Sequence, residues 1–233
     1  DYLIDVCKYY KDKYGIEFRK LEPFNESISC YWMANGSQEG CHFSEDAQIR
    51  IIEILYSKLQ KAGLKTVISA SDETDLSSFI RVMNYYKATN TVFSKLGQIN
   101  THTYSGTNKE RIEAASLIQQ IGLPFWQSET GPSGGRGLKS NLDLARKMFD
   151  DMRYLKPKAW LDWQLMEEHN GEWCLLQSDF NTKEYQIMKN YYVRMQITRF
   201  FKQGYRIIDS NCEQIIAAMS PEDNEIVISV LNN

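Results

Sequence analysis

Leu96-Gly97-Gln98-Ile99-Asn100-Thr101-His102 is followed by an amphipathic stretch over about residues 108–121, by Gly122, and then by Pro124-Phe125-Trp126-Gln127-Ser128-Glu129. The outer two segments have the length and apolar content of buried strands. The middle one has helical periodicity and ends on a glycine, the residue that most easily leaves a helix in a left-handed turn. Two parallel strands need a crossover between them, and a helix supplies it. The stretch therefore reads as one strand–helix–strand unit of a parallel sheet.

The same alternation extends in both directions. Upstream, a helix over 1–14 ends at Gly15, and Ile16–Leu21 reads as a strand closed by Glu22-Pro23. After a long loop, Ser44 stands as an N-cap with Glu45 and Asp46 in the first turn, and Ile49, Ile52, Leu55 and Leu59 mark an apolar helix face up to Gly63. Thr66–Ala70 is the next strand, with a helix over about 75–88. Downstream lie a helix over about 140–155, a strand at Lys158–Leu165, a strand at Trp173–Gln177 and a helix over about 183–202 that ends at Gly204. This makes five strand–helix units preceded by one helix, an α/β class. Beyond Gly204, Tyr205–Asp209, Ile215–Met219 and Ile226–Leu231 read as short strands, the last two joined through Pro221-Glu222-Asp223-Asn224. Three strands make a marginal sheet, so they read as the start of a β appendage.

Composition narrows the function. The 233 residues carry 27 Lys+Arg against 30 Asp+Glu, a net charge of −3, which lacks the basic footprint of a nucleic-acid binder. No run of about 18 apolar residues suggests a membrane span. Five cysteines (Cys7, Cys30, Cys41, Cys174, Cys212) are too scattered for a disulfide scaffold, and with three histidines and no C-x-x-C pair no zinc spacing appears. Cys30 and Cys41 share one loop and can bridge in an oxidising compartment; free thiols are the default reading. No G-x-G-x-x-G or P-loop follows any strand, which weighs against nucleotide binding. Ser133–Gly137 reads as a flexible loop that opens no phosphate-binding helix.

Aromatic residues make up 12% of the chain, and several neighbour amides and carboxylates, as in Tyr31-Trp32, Phe125-Trp126-Gln127 and Trp160-Leu161-Asp162-Trp163-Gln164. Flat rings beside hydrogen-bonding groups suit sugars. Polar residues gather at the C-terminal ends of the strands, where α/β sheets and barrels place their chemistry. Two glutamates stand there in polar-aromatic settings, Glu26 after Glu22-Pro23-Phe24-Asn25 and Glu129 after Trp126-Gln127-Ser128. A carboxyl pair, one protonated and one ionised, is what glycosidic cleavage requires, whereas a lone Glu after a strand is usually a cap or a surface charge.

The segments Pro-Phe-Asn-Glu (23–26), His-Thr-Tyr (102–104), Trp-Gln-Ser-Glu-Thr-Gly (126–131), Trp-Leu-Asp-Trp-Gln-Leu (160–165) and the block 191–206 resemble glycoside hydrolase family 30, in order and over nearly the whole chain. The resemblance implies a (β/α)₈ TIM barrel, of which strands four to eight are present, with the beginning of a C-terminal β-sandwich. On that basis residues 1–204 would be five-eighths of a catalytic barrel and 205–233 part of the appendage. It implies Glu26 as acid/base and Glu129 as nucleophile of a retaining endo-glycosidase, and Asn25 as the partner of the sugar 2-hydroxyl. Tyr104 would point its hydroxyl at Glu129, and Trp163 and Gln164 would line the subsite of the attacked sugar. His102 would belong to the same wall or be a structural histidine.

Ser27 replaces the proline that commonly follows the acid/base. The stretch 37–42 looks like the subgroup acting on β-1,6-galactan; with Trp32 it would shape the cleft, or serve only as structure. Sister specificities are β-1,6-glucanase, xylanase and glucosylceramidase, and a non-catalytic carbohydrate-binding protein is the rival class. A phosphate-binding barrel has only Arg136 and Lys139 in its favour. Asp72-Glu73 is expected to cap the helix after it rather than bind a hydroxyl, and Glu167–Gly171 to be a solvated turn. No cofactor or metal is implied, and the partner is a polysaccharide or oligosaccharide, with no nucleic acid and no membrane insertion. The resemblance implies a secreted or periplasmic protein. Because a barrel takes about 250 residues, the chain is expected to be an excerpt of a longer one, and insoluble or molten when made alone.

Overall fold

The computed structural model describes residues 1–36, 38, 40–89, 91–132, 137–168 and 171–232. Ser37 and Glu39 of the galactanase-like loop, the glycine-rich segment 133–136, and His169-Asn170 lie outside the described residues. The chain divides into two compact units, one of residues 1–106 and 116–128, the other of residues 107–115 and 129–233.

The first unit holds the alternation read from the sequence. In order it contains α1 (Tyr2–Tyr14), β1 (Lys20–Leu21), α2 (Glu45–Lys61), β2 (Val67–Glu73), α3 (Leu76–Thr89) and β3 (Leu96–His102). Helix α4 (Asn108–Ile121) begins among the residues of the second unit, and β4 (Phe125–Glu129) ends on its first residue after 128. The strands form a parallel sheet in the order β1-β2-β3-β4, with Lys20 opposite Val67 and Ala70 opposite Ile99. Helix ends follow the expected chemistry. Gly15 takes φ +67° after α1 and Gly122 φ +76° after α4, a region closed to most side chains. Ser44 caps α2 by accepting from the Ala47 N–H at 3.4 Å.

The two faces of this sheet differ sharply. Ile68, Ala70, Ile99 and Phe125 are buried, and α2 and α3 pack on β2, with the Phe79 and Phe125 rings 5.7 Å apart. The residues between them in β3, namely Gln98, Asn100 and His102, are also buried, yet polar. A strand buried on both sides reads as a continuous run. Here the second side is a layer of hydrogen-bonding side chains.

In the second unit α5 (Gly137–Asp150) continues into a wider helical turn over Asp151–Leu155. Three short strands, β5 (Met166–Glu168), β6 (Leu176–Ser178) and β7 (Tyr185–Ile187), pair in sequence order, then α6 (Lys189–Thr198) follows. An antiparallel sheet of β8 (Arg206–Ile208), β9 (Ile215–Met219) and β10 (Ile226–Val230) completes it, with β9 in the centre. Ile216 and Leu231 join Ala145, Met148, Phe149 and Ile197 in one core, so this sheet shares its apolar face with α5 and α6.

Three expectations are corrected. The strand at Lys158–Leu165 does not form: only Trp160 makes an isolated bridge, and the parallel sheet has four strands among the described residues. The reason is visible in the backbone, where the Trp163 N–H donates to the Thr130 carbonyl at 2.6 Å and the Gln164 N–H to that of Trp173 at 2.7 Å. The helix expected from residue 183 starts at Lys189, because Tyr185–Ile187 pairs antiparallel with β6. The Glu167–Gly171 turn begins instead as the end of β5.

Candidate active site

Glu26 is held by polar contacts on both its backbone and its side chain. It sits at φ +50°, a left-handed conformation that costs a non-glycine residue about 1–2 kcal/mol and recurs at functional sites. Its N–H donates to the Asp72 carbonyl at 2.7 Å, and its own carbonyl accepts the Trp32 indole N–H at 2.8 Å. On the side chain, Oε2 accepts the Tyr31 hydroxyl and Oε1 lies 2.9 Å from Nδ1 of His102. With 8% of its surface exposed, the carboxyl is buried but reachable. Both oxygens are engaged, so its orientation is fixed before any ligand arrives.

His102 is fully buried at the end of β3. Its Nε2 lies 3.3 Å from Oδ2 of Asp72, giving the imidazole a carboxylate at each nitrogen. Asp72, itself at φ +60°, accepts through Oδ1 from Asn100 Nδ2 and Ser128 Oγ, both at 2.5 Å. Burial and the Asp72 charge push the Glu22 carboxyl well above its ordinary range. Burial and the neighbouring Glu26 raise the Tyr31 hydroxyl to about 12, which keeps it a donor. Tyr104 lies edge-on to His102, ring centroids 5.8 Å apart. Asn25 is exposed beside Glu26.

Glu73 has a different task from capping. Its fully buried carboxylate accepts from the Ile28 N–H at 3.2 Å and from Gln48 Nε2 at 3.1 Å, while Gln48 Oε1 accepts the Tyr86 hydroxyl at 2.5 Å. Burial raises its pKa from 4.5 to about 7. The cap of α3 is Asp75, which accepts from the Ser78 N–H at 2.8 Å. Asp72 and Glu73 instead clamp the segment that carries Glu26.

Glu129, Trp163 and Gln164 belong to the second unit, and the other five expected site residues to the first. Glu129 is half-buried at the end of β4 and precedes the buried Thr130 and Gly131. A Cβ on Gly131 would meet the Trp173 ring at 2.3 Å, so only glycine lets that indole lie on the backbone here. Lys147 Nζ donates to the Gly131 carbonyl at 2.8 Å, and burial lowers this lysine to about 8. Trp163 is 46% exposed. Its segment is anchored by neighbours: Asp162 pairs with the buried Arg194, whose guanidinium lies 4.4 Å above the Trp160 ring. Trp160 Nε1 and Arg111 Nε each reach Asp151 at 2.8 Å.

No protein-family model matches the chain. Two curated proteins do. An endo-β-1,6-galactanase of Hypocrea rufa is 30% identical over 99% of this chain and 47% of its own length. An exo-β-1,6-galactobiohydrolase of Bifidobacterium longum subsp. longum is 27% identical over 69% of this chain and 10% of its own. The chain thus spans about half or less of the curated relatives it matches. Among solved structures, a conserved exported protein from Bacteroides fragilis superposes with TM-score 0.78 at 18% identity, over 97% of this chain and 57% of that one. The catalytic domain of a GH30 xylanase C from Talaromyces cellulolyticus gives 0.73 at 17%, over 97% and 52%. At these identities the superpositions establish a shared fold.

Sequence reasoning missed Tyr31, Asp72 and Glu22 as neighbours of the expected site. One signal was present: Gln98, Asn100 and His102 fall at every second position of β3 and announce a polar sheet face.

Proposed function

We propose that the chain is the catalytic part of a retaining endo-glycosidase of glycoside hydrolase family 30, acting on β-1,6-linked galactan. The observation that carries the reading is the 30% identity to an endo-β-1,6-galactanase over 99% of the chain. The restraint of Glu26 on both carboxyl oxygens supports it. In this reading β1 to β4 are strands four to seven of a (β/α)₈ barrel, Trp160–Leu165 runs where strand eight would lie, and residues 205–233 begin a β-sandwich. The polymer is the partner, and the likeness to an exported protein favours secretion. No helix among the described residues is long and apolar enough to cross a membrane.

Glu26 donates its proton to the departing sugar oxygen while Glu129 attacks the anomeric carbon. Glu26 then takes a proton from the water that releases the sugar from Glu129. Tyr31 and His102 keep the Glu26 carboxyl aimed through both steps. Asn25 is assigned to the sugar 2-hydroxyl, Tyr104 to Glu129, and Trp163, Gln164 and Trp32 to the cleft. Retention requires the two carboxyl groups about 5–5.5 Å apart.

The test compares initial rates on β-1,6-galactan, β-1,6-glucan, xylan and glucosylceramide. Turnover is expected on the galactan first. Preference for another substrate would reassign the specificity, and binding without turnover on all of them would remove the enzyme reading.

A further inference from the structure

We propose that Cys30 and Cys41 join in a disulfide that closes the loop between Glu26 and α2. Three separate contacts bring the two arms of this loop together. The Phe43 N–H donates to the Ser27 carbonyl at 2.9 Å, and His42 Nδ1 lies 3.2 Å from the Ser29 carbonyl. Farther out, the Trp32 ring lies so close to Gly40 that a Cβ there would sit 2.3 Å from it. The contacts pair residue 27 with 43, 29 with 42 and 32 with 40. Cys30 and Cys41 fall between the second and third of these pairs. Both thiols are free in this structure; a disulfide needs Cα atoms about 4.4–6.8 Å apart, and the contacts on either side of the cysteines bring the two arms together.

Accessibility singles out the same pair. Cys30 and Cys41 are exposed, Cys7 and Cys174 are buried and Cys212 is intermediate. Burial also raises the Cys7 and Cys174 thiols, which lowers their thiolate fraction. With glutathione disulfide as oxidant, the thiolate of one cysteine attacks its S–S bond and releases one glutathione thiolate. The second cysteine, having lost its proton to solvent, attacks the protein sulfur of the mixed disulfide and releases the other. Two protein thiols are oxidised and one glutathione disulfide is reduced to two glutathiones.

The loop so closed carries Tyr31, which donates to the Glu26 carboxylate, and Trp32, which donates to the Glu26 carbonyl. The bridge therefore fastens the segment that fastens Glu26. This assignment rests on the geometry of the loop alone and stands whether or not the chain proves to be a galactanase.

The experiment equilibrates the full chain with a series of glutathione redox buffers, quenches with an alkylating agent and maps the peptides by mass. The expected product is a Cys30–Cys41 linked peptide two hydrogens lighter than the reduced pair, with Cys7 and Cys174 alkylated only after denaturation. The same equilibrium is then measured in concentrated urea, where a short flexible loop gives an effective concentration in the millimolar range. The folded chain should favour the bridge by at least roughly tenfold over that reference. Separate glutathione adducts at both cysteines, or a folded equilibrium no more favourable than the one in urea, would overturn the assignment. So would a linkage from either cysteine to Cys212.

Discussion

The sequence pattern leads one to expect a strand both before Glu26 and at Lys158–Leu165, and the two segments are held by different means. At Glu26 the sheet itself does the work: β2 lends its backbone carbonyl at Asp72 and its carboxylate at Glu73, and β3 lends His102. At Trp160–Gln164 no ladder forms, and a buried guanidinium holds the chain through Asp162 and the Trp160 ring. Regular pairing lets a strand carry a polar functional face. Where the ladder is lost, side-chain contacts from Arg194 and Asp151 and scattered backbone hydrogen bonds to Thr130 and Trp173 take its place.

Glu129→Gln is expected to abolish turnover. Glu26→Ala should slow hydrolysis by about 10²- to 10⁴-fold, the range for loss of a general acid/base. With an activated aryl glycoside whose departure needs no proton, azide should restore the rate of Glu26→Ala. Rescue of Glu129→Ala instead, with inverted product, would reverse the roles.

Stability separates the two segments next. Arg194→Met leaves the Asp162 carboxylate, its side chain only 11% exposed, without its cation; breaking a buried pair costs about 3–5 kcal/mol, read by urea unfolding. Adding Asp162→Asn should recover part of that loss. If the double variant is no better than the single one, the ion pair is not what anchors the Trp160 segment.

The two units should also answer pH in opposite senses. Glu73 is raised from 4.5 to about 7, so between those values the unfolded chain loses a proton that the folded chain keeps. Stability should therefore fall as pH rises through that window, by on the order of 3 kcal/mol, and Glu73→Gln should flatten the fall. Lys147 is lowered from 10.5 to about 8, so there the unfolded chain holds the extra proton and stability should rise between those values. Lys147→Met should remove that rise.

The smallest effect calibrates the rest. Ser44→Ala removes the cap of α2 and should cost about 1 kcal/mol, with both pH windows unchanged.

The ease of reading the sequence followed the same division. The strand–helix alternation of the first unit was legible because apolar periodicity, N-caps and terminal glycines agreed with one another, as at Ser44, Gly15 and Gly122. The hairpin before β10 was legible from its Pro-Glu-Asp-Asn turn. Trp160, Leu161, Trp163 and Leu165 suit a strand by composition, and Lys158–Leu165 forms none. Yet Leu161, Trp163 and Leu165 stand exposed, and the backbone bonds of Trp163 and Gln164 go to Thr130 and Trp173, residues distant in sequence. A carboxylate before a helix usually caps it, but the partners of Asp72 and Glu73, namely His102, Ile28 and Gln48, come from other elements. Local pattern names the element, and only tertiary contact names the partner.

Double displacement by Glu26 and Glu129 is tested by proton NMR of the reducing ends first released from β-1,6-galactan, before mutarotation scrambles them. The β anomer should appear first and the α anomer only as it equilibrates. Initial release of the α anomer would mean single displacement and would contradict the assignment of Glu129 as nucleophile.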